Sequence, residues 1–179
     1  MSTDRLQMGS LVPEFKNLPG ADGKKYSMNN FKEKKGIVIV FSCNHCPTVQ
    51  AYEDRMIEFQ KDYVSKGFQL IAINSNETDN YPEDGFPEMV KRAQRLGFNF
   101  PYLRDDDQSV AKSFGASHTP EFFVLDGARN LRYHGKMDDN KEHSAARVSY
   151  VREAADAILA GKDVKEPETY SIGCTIKWK

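Results

Sequence analysis

Gly36-Ile37-Val38-Ile39-Val40-Phe41 is an unbroken, largely β-branched apolar run, followed at once by Ser42, Cys43 and, three residues on, Cys46 and Pro47. A continuous run of this kind fits a strand covered on both faces, the environment of a parallel sheet. From Pro47 the apolar positions change period. Val49, Tyr52, Met56, Phe59 and Tyr63 recur at steps of three and four, one face of a helix, with Gly67 placed to end it. Phe68 to Ile73 is then a second buried strand. A strand, a long helix and a strand require a right-handed crossover between parallel neighbours, which sets the class as α/β.

The remaining elements extend this unit. Residues 9–30, rich in Pro, Gly and Asn with a turn at Asp22-Gly23, predict an N-terminal hairpin or lead-in. Asn74 to Gly85 is a polar loop, and Met89, Val90, Ala93 and Leu96 predict a helix ended by Gly97. Together they form an insertion after the second strand. Pro101 to Leu103 suits a short strand, and Asp105, Asp106 and Asp107 precede a brief helix whose start they can cap. Phe122 to Leu125 and Leu131 to His134 flank a turn and predict a hairpin. A last helix carries Val148, Val151, Ala155 and Ile158, with Ser144 as its cap and Gly161 at its end. The domain is expected over residues 1–161. Residues 162–179 are expected to be a tail packed on it, where alternating Ile172, Cys174, Ile176 and Trp178 suggest an edge strand.

A chain of 179 residues buries roughly 70% of its unfolded surface, enough for a full core without disulfide staples. The three cysteines therefore need a chemical reason, and their odd number fits a reducing compartment better than a secreted framework. With 25 Lys+Arg against 26 Asp+Glu there is no basic excess for nucleic acid, and the longest apolar run falls far short of a membrane span. Residues 1–15 hold no apolar signal region, so a cytoplasmic protein is expected.

Cys43 and Cys46 stand where a buried strand hands over to a helix, a place where unpaired N–H groups favour thiolate. The expected chemistry is thiol–disulfide exchange, with Cys43 attacking and Cys46, one turn inside the helix, resolving. Asn44, His45 and Pro47 are expected to tune the pair: protonated His45 would lower the Cys43 pKa, and Pro47 would stiffen the helix start. No dissociable cofactor is required. The substrate would be a protein or small-molecule disulfide, with electrons from a thiol or reductase.

The segment Phe41-Ser42-Cys43-Asn44-His45-Cys46-Pro47, with Pro13-Glu14-Phe15, Asp22-Gly23-Lys24 and Gly115 to Asp126, resembles the thioredoxin superfamily. It is most similar to the peroxiredoxin-like proteins of the alkyl hydroperoxide reductase/thiol-specific antioxidant group, a likeness over about residues 9–160. The tail Gly173-Cys174-Thr175-Ile176-Lys177-Trp178 also resembles that branch. The resemblance implies a thioredoxin fold with a mixed central sheet between helices. It further implies that Thr119-Pro120 is a cis-proline facing the cysteines and presenting backbone to substrate.

Two departures matter. Peroxiredoxins carry Pro-x-x-x-Thr/Ser-x-x-Cys, whereas Ile39 and Cys43 hold those places before Cys46, and Gly36 and Val40 before Cys43. Peroxide reduction is thus the alternative reading. The buried acid of a thioredoxin central strand is replaced by apolar residues, which leaves the acceptor of the Cys46 proton unassigned, with Glu121, just after Pro120, as a candidate. A copper- or zinc-binding module using Cys43, Cys46 and His118 is the second alternative. Cys174 is expected to be either an inward-facing small residue or an extra resolving thiol.

Overall fold

The computed structural model describes residues 6–179; the first five residues of the expected 1–161 unit lie outside the described residues. A short hairpin, β1 (Leu18–Pro19) and β2 (Lys25–Tyr26), forms the lead-in. The chain then enters β3 (Gly36–Phe41), α1 (Pro47–Tyr63) and β4 (Phe68–Asn74). β3 and β4 run parallel in register from Gly36 opposite Phe68 to Phe41 opposite Ile73. Gly36 is required there, because a Cβ would lie 2.3 Å from the Phe68 ring.

After α2 (Phe86–Leu96) come β5 (Tyr102–Arg104), α3 (Ser109–Phe114), β6 (His118–Thr119), β7 (Glu121–Asp126) and β8 (Leu131–Gly135). The main sheet has the order β5-β4-β3-β7-β8, with β7 antiparallel to both neighbours. This mixed sheet between helices is the thioredoxin fold.

Strand alternation divides the core between two faces. Val38, Val40, Leu70 and Val124 pack with Tyr52, Met56 and Phe59 of α1 and with Met89 of α2. Ile37, Ile39, Phe41 and Phe123 pack on the other side with Val110, Ala111 and Phe114 of α3. All of β3 is buried, and Ile37 to Phe41 are at most 1% exposed, consistent with the continuous run that marks it.

The last helix differs from expectation. α4 spans Tyr150–Leu159 and is capped by Ser149, whereas Ser144 lies in an isolated turn, His143–Ala145. Ser149 pairs with Asp138 in a β-bridge, and Asp139 accepts the N–H groups of Arg147 and Val148, which holds these residues out of helix. Asp138 is buried and bound to Arg55 and Tyr52. Asp105 does cap α3, accepting the N–H groups of Val110 and Ala111. In the tail, β9 (Cys174–Thr175) pairs antiparallel with β6, and Ile176 is buried. Among the described residues no helix is long and apolar enough to cross a membrane.

Candidate active site

β3 delivers Cys43 to the C-terminal edge of the sheet, and Ser42 continues the ladder through an N–H donated to Ile73 O. The helix begins later than expected. Cys46, with extended backbone angles of −75° and 121°, is the N-cap of α1, and Pro47 is its first residue. The cause is local: Pro47 disfavours helical backbone at the residue before it and supplies a preset first turn. Cys46 is therefore the thiol at the positive helix end, and Cys43 lies before it. Both are buried, at 0% and 1% exposure.

The turn between them is held by an acid outside the motif. Asp84, fully buried in the loop ahead of α2, accepts the Asn44 N–H at 2.6 Å, Asn74 Nδ2 at 3.2 Å and Asn76 Nδ2 at 3.0 Å. His45 Nδ1 lies 2.5 Å from Oδ2, the oxygen that Asn76 also binds, and the imidazole stacks on Tyr81. Asn44 adds bonds of its own: it accepts from Tyr102 Oη at 2.7 Å and donates to Glu83 O at 2.9 Å. Asn44 thus acts on the thiols by fixing the turn. Ligand atoms of Cys43, His45 and Asp84 lie within 4.8 Å of one another.

This arrangement reverses the expected charge distribution. The Cys43 thiol is pushed up by its hydrogen bond to Cys46, by burial and by the Asp84 carboxylate. Cys46 is pulled from the ordinary 9.0 down to about 4, chiefly by the Cys43 thiol, and further by the Cys174 thiol and the Val49 and Cys174 N–H groups. Burial opposes the change, and the Thr119 carbonyl, 3.6 Å from Cys46 Sγ, also favours the protonated thiol. The four donors outweigh burial and that acceptor together, so the negative charge of the pair resides on Cys46. His45, expected to lower the Cys43 pKa, instead spends its contacts on Asp84 and Glu83.

A direct consequence is measurable. Titrating the ultraviolet thiolate absorbance of the reduced protein should show one thiolate at neutral pH that disappears as pH falls to about 4 and is missing in Cys46→Ser. Because the folded pKa lies below the unfolded value, Cys46 contributes stability that is full above about pH 9 and is lost progressively down to about pH 4. A neutral-pH spectrum without thiolate would refute this distribution.

Thr119-Pro120 is a cis peptide, as the resemblance implies. Thr119 Oγ1 lies 3.5 Å from Cys43 Sγ and its carbonyl faces Cys46, so this one residue touches both sulfurs. Glu121 does not fill the role foreseen for it. One of its oxygens accepts the Ser117 and His118 N–H groups and holds the β6–β7 turn, and the other lies 2.6 Å from His134 Nε2 and ties β7 to β8. His118 is turned toward Ser117, 2.7 Å from its hydroxyl, and among the described residues joins no metal-ligand cluster with the cysteines. Cys174, by contrast, packs against Cys43, Cys46 and Val49.

Asp84, Asn74, Asn76 and Tyr102 were outside the motif because no spacing in sequence links them to it. The only signal was an acid next to glycine in a polar loop. A cavity of about 250 Å³ lined by Thr48, Pro120 and Ile172 opens beside the cis-proline. Another, of about 650 Å³ and lined by Phe98, Phe100 and Tyr102, contains none of the cysteines.

The Redoxin family model matches residues 7–150. The thiol-disulfide oxidoreductase ResA of Bacillus anthracis is 27% identical over 124 residues, covering 69% of this chain; the chain spans 66% of that relative's length, just under two thirds. Peroxiredoxin Bcp of Escherichia coli K12 is 27% identical over 145 residues, 77% of this chain and 84% of Bcp. A hypothetical protein from Sinorhizobium meliloti 1021 has a crystal structure 37% identical in sequence, with a TM-score of 0.91 over 98% of this chain and 97% of its own.

Proposed function

The chain belongs to the Redoxin family, and from that premise we propose that it is a thiol–disulfide oxidoreductase cycling Cys43 and Cys46 between dithiol and disulfide. The supporting observation is the pair of sulfurs set against Thr119, Cys43 at its hydroxyl and Cys46 at its carbonyl, with the charge on Cys46 and the proton on Cys43. In the reducing direction the Cys46 thiolate attacks one sulfur of a substrate disulfide. A mixed disulfide forms and the other substrate sulfur leaves as thiolate. Cys43 then loses its proton to the His45–Asp84 pair and attacks the Cys46 sulfur. The second substrate thiol is released, and two electrons have passed to the substrate.

This order reverses the one expected from spacing alone, because nucleophilic attack belongs to the thiolate. Exchange needs no further cofactor. A thiol or reductase would return the electrons, and a protein or small-molecule disulfide would receive them. The odd cysteine count supports a reducing compartment, the cytoplasm. The test is a dithiothreitol-driven assay of disulfide reduction combined with disulfide mapping of the oxidised protein. Turnover together with a Cys43–Cys46 bond is expected; failure of both refutes the reading.

The low-pKa thiol at the helix start and the likeness to Bcp favour peroxide reduction as a second reading. There Cys46 would take one peroxide oxygen to become sulfenic acid, the other would leave as water or alcohol, and Cys43 would condense with the sulfenic acid to give disulfide and water. Ile39 and Cys43 stand where the family's proline and hydroxyl position the peroxide. Rapid sulfenic acid trapping at Cys46 in Cys43→Ala, which supplies no hydroxyl at that place, would decide for it.

A further inference from the structure

The tail crosses the site as a strap anchored at both ends. Upstream, Thr169 N–H donates to His134 O at 3.0 Å, and Thr169 Oγ1 lies 2.7 Å from Tyr133 Oη. Downstream, Ile176 N–H donates to Ser117 O at 2.9 Å and Lys177 N–H to Asn76 Oδ1 at 2.9 Å. Between these anchors Tyr170 and Ile172 are 84% and 63% exposed, so the strap's stability resides in its ends.

Where it passes the cysteines the strap is a β-strand. Thr119 pairs with Cys174 and His118 with Thr175, antiparallel. Gly173 makes this approach possible: its φ is +150°, and a Cβ there would lie 2.2 Å from Thr119 O. The strap therefore occupies the backbone edge beside Pro120 that the proposed function assigns to a substrate chain. It also places a thiol against Cys46 at the position a substrate cysteine would take.

We propose that the strap is a substrate strand supplied in cis and that Cys174 is a third redox thiol. Resting on the oxidoreductase reading, the step is an internal exchange. The Cys174 thiolate attacks the Cys46 sulfur of the Cys43–Cys46 disulfide, the Cys43–Cys46 bond breaks, and a Cys46–Cys174 bond forms. Cys43 leaves as thiolate and takes up the proton that Cys174 has lost. The exchange is electron-neutral, so it needs no added oxidant, and it closes the cis-proline edge to other substrates. Burial and, after it, the neighbouring Cys46 raise the Cys174 thiol to about 11 in the reduced protein, and the Cys46 contribution is removed once Cys46 is oxidised. The strap thiol thus becomes easier to ionise in the state where it is needed.

The test uses the full chain oxidised with diamide, acid-quenched, alkylated and mapped by mass spectrometry without reduction. Wild type is expected to contain both Cys43–Cys46 and Cys46–Cys174. Cys43→Ser, checked for folding by circular dichroism, is expected to form Cys46–Cys174 within one chain. Gly173→Ala, which pushes the strap off Thr119, should lower the ratio of Cys46–Cys174 to Cys43–Cys46 by about tenfold or more, as a misplaced thiol loses attack geometry. A Cys43–Cys46 bond in wild type with no Cys46–Cys174 in any variant overturns the strap proposal and leaves the oxidoreductase reading intact. A folded wild type that never forms Cys43–Cys46 overturns the oxidoreductase reading and the exchange with it. An unchanged ratio in Gly173→Ala refutes the strand register as the cause.

Discussion

Cys46→Ser should lower steady-state disulfide reduction by at least about 10³-fold, the scale of loss when a nucleophile is removed. Cys43→Ser should lose multiple turnover to the same degree, yet still complete one attack and accumulate a mixed disulfide on Cys46. The asymmetry follows from where the charge sits: Cys46 caps α1 and faces donors on several sides, whereas Cys43 shares its surroundings with the Asp84 carboxylate. Mass spectrometry of each variant, incubated with a small aromatic disulfide, reads the outcome. A mixed disulfide on Cys43 in Cys46→Ser, with none on Cys46 in Cys43→Ser, would restore the order expected from spacing.

Replacing Asp84 with alanine is expected to destabilise the fold by about 3–5 kcal/mol, since each buried donor left unpaired costs about 1–3 kcal/mol. Three donors are at stake, the Asn44 N–H and the Asn74 and Asn76 amides, and the carboxylate that binds them is fully buried. Urea denaturation monitored by circular dichroism measures the effect, and a loss below about 1 kcal/mol would show that the network relaxes without cost. Asp84→Asn separates charge from shape. It keeps an acceptor for the turn but removes the carboxylate that raises the Cys43 thiol, so the Cys43 pKa should fall. It also removes the partner of His45, so release of the mixed disulfide should slow while its formation does not. Equal slowing of both steps would mark Asp84 as purely structural.

Much of the fold was legible in the chain. The run Gly36 to Phe41, the helical face from Val49 to Tyr63 and the strand from Phe68 became β3, α1 and β4 because backbone period and local apolar pattern carry that information within short windows. Gly97 and Gly115 end α2 and α3 as left-handed caps, again a local effect. The start of α4 was misplaced because its true boundary depends on the Asp138–Ser149 bridge, a contact between residues eleven or so positions apart whose alternative, a longer helix, looks equally good locally. Placement of Cys46 at the helix cap was in principle readable from Pro47, whose effect on the preceding backbone is local.

The sequence by itself determined the α/β class, the strand-to-helix junction and the presence there of two thiols separated by two residues, because each rests on interactions within a few residues. Only the tertiary structure decided which thiol carries the charge. That choice depends on Asp84, from the loop before α2, and on Cys174, from the tail, meeting the cysteines in space. Electrostatic and hydrogen-bonding effects act over a few ångströms regardless of separation along the chain, so the chemistry of the pair is a property of the assembled site.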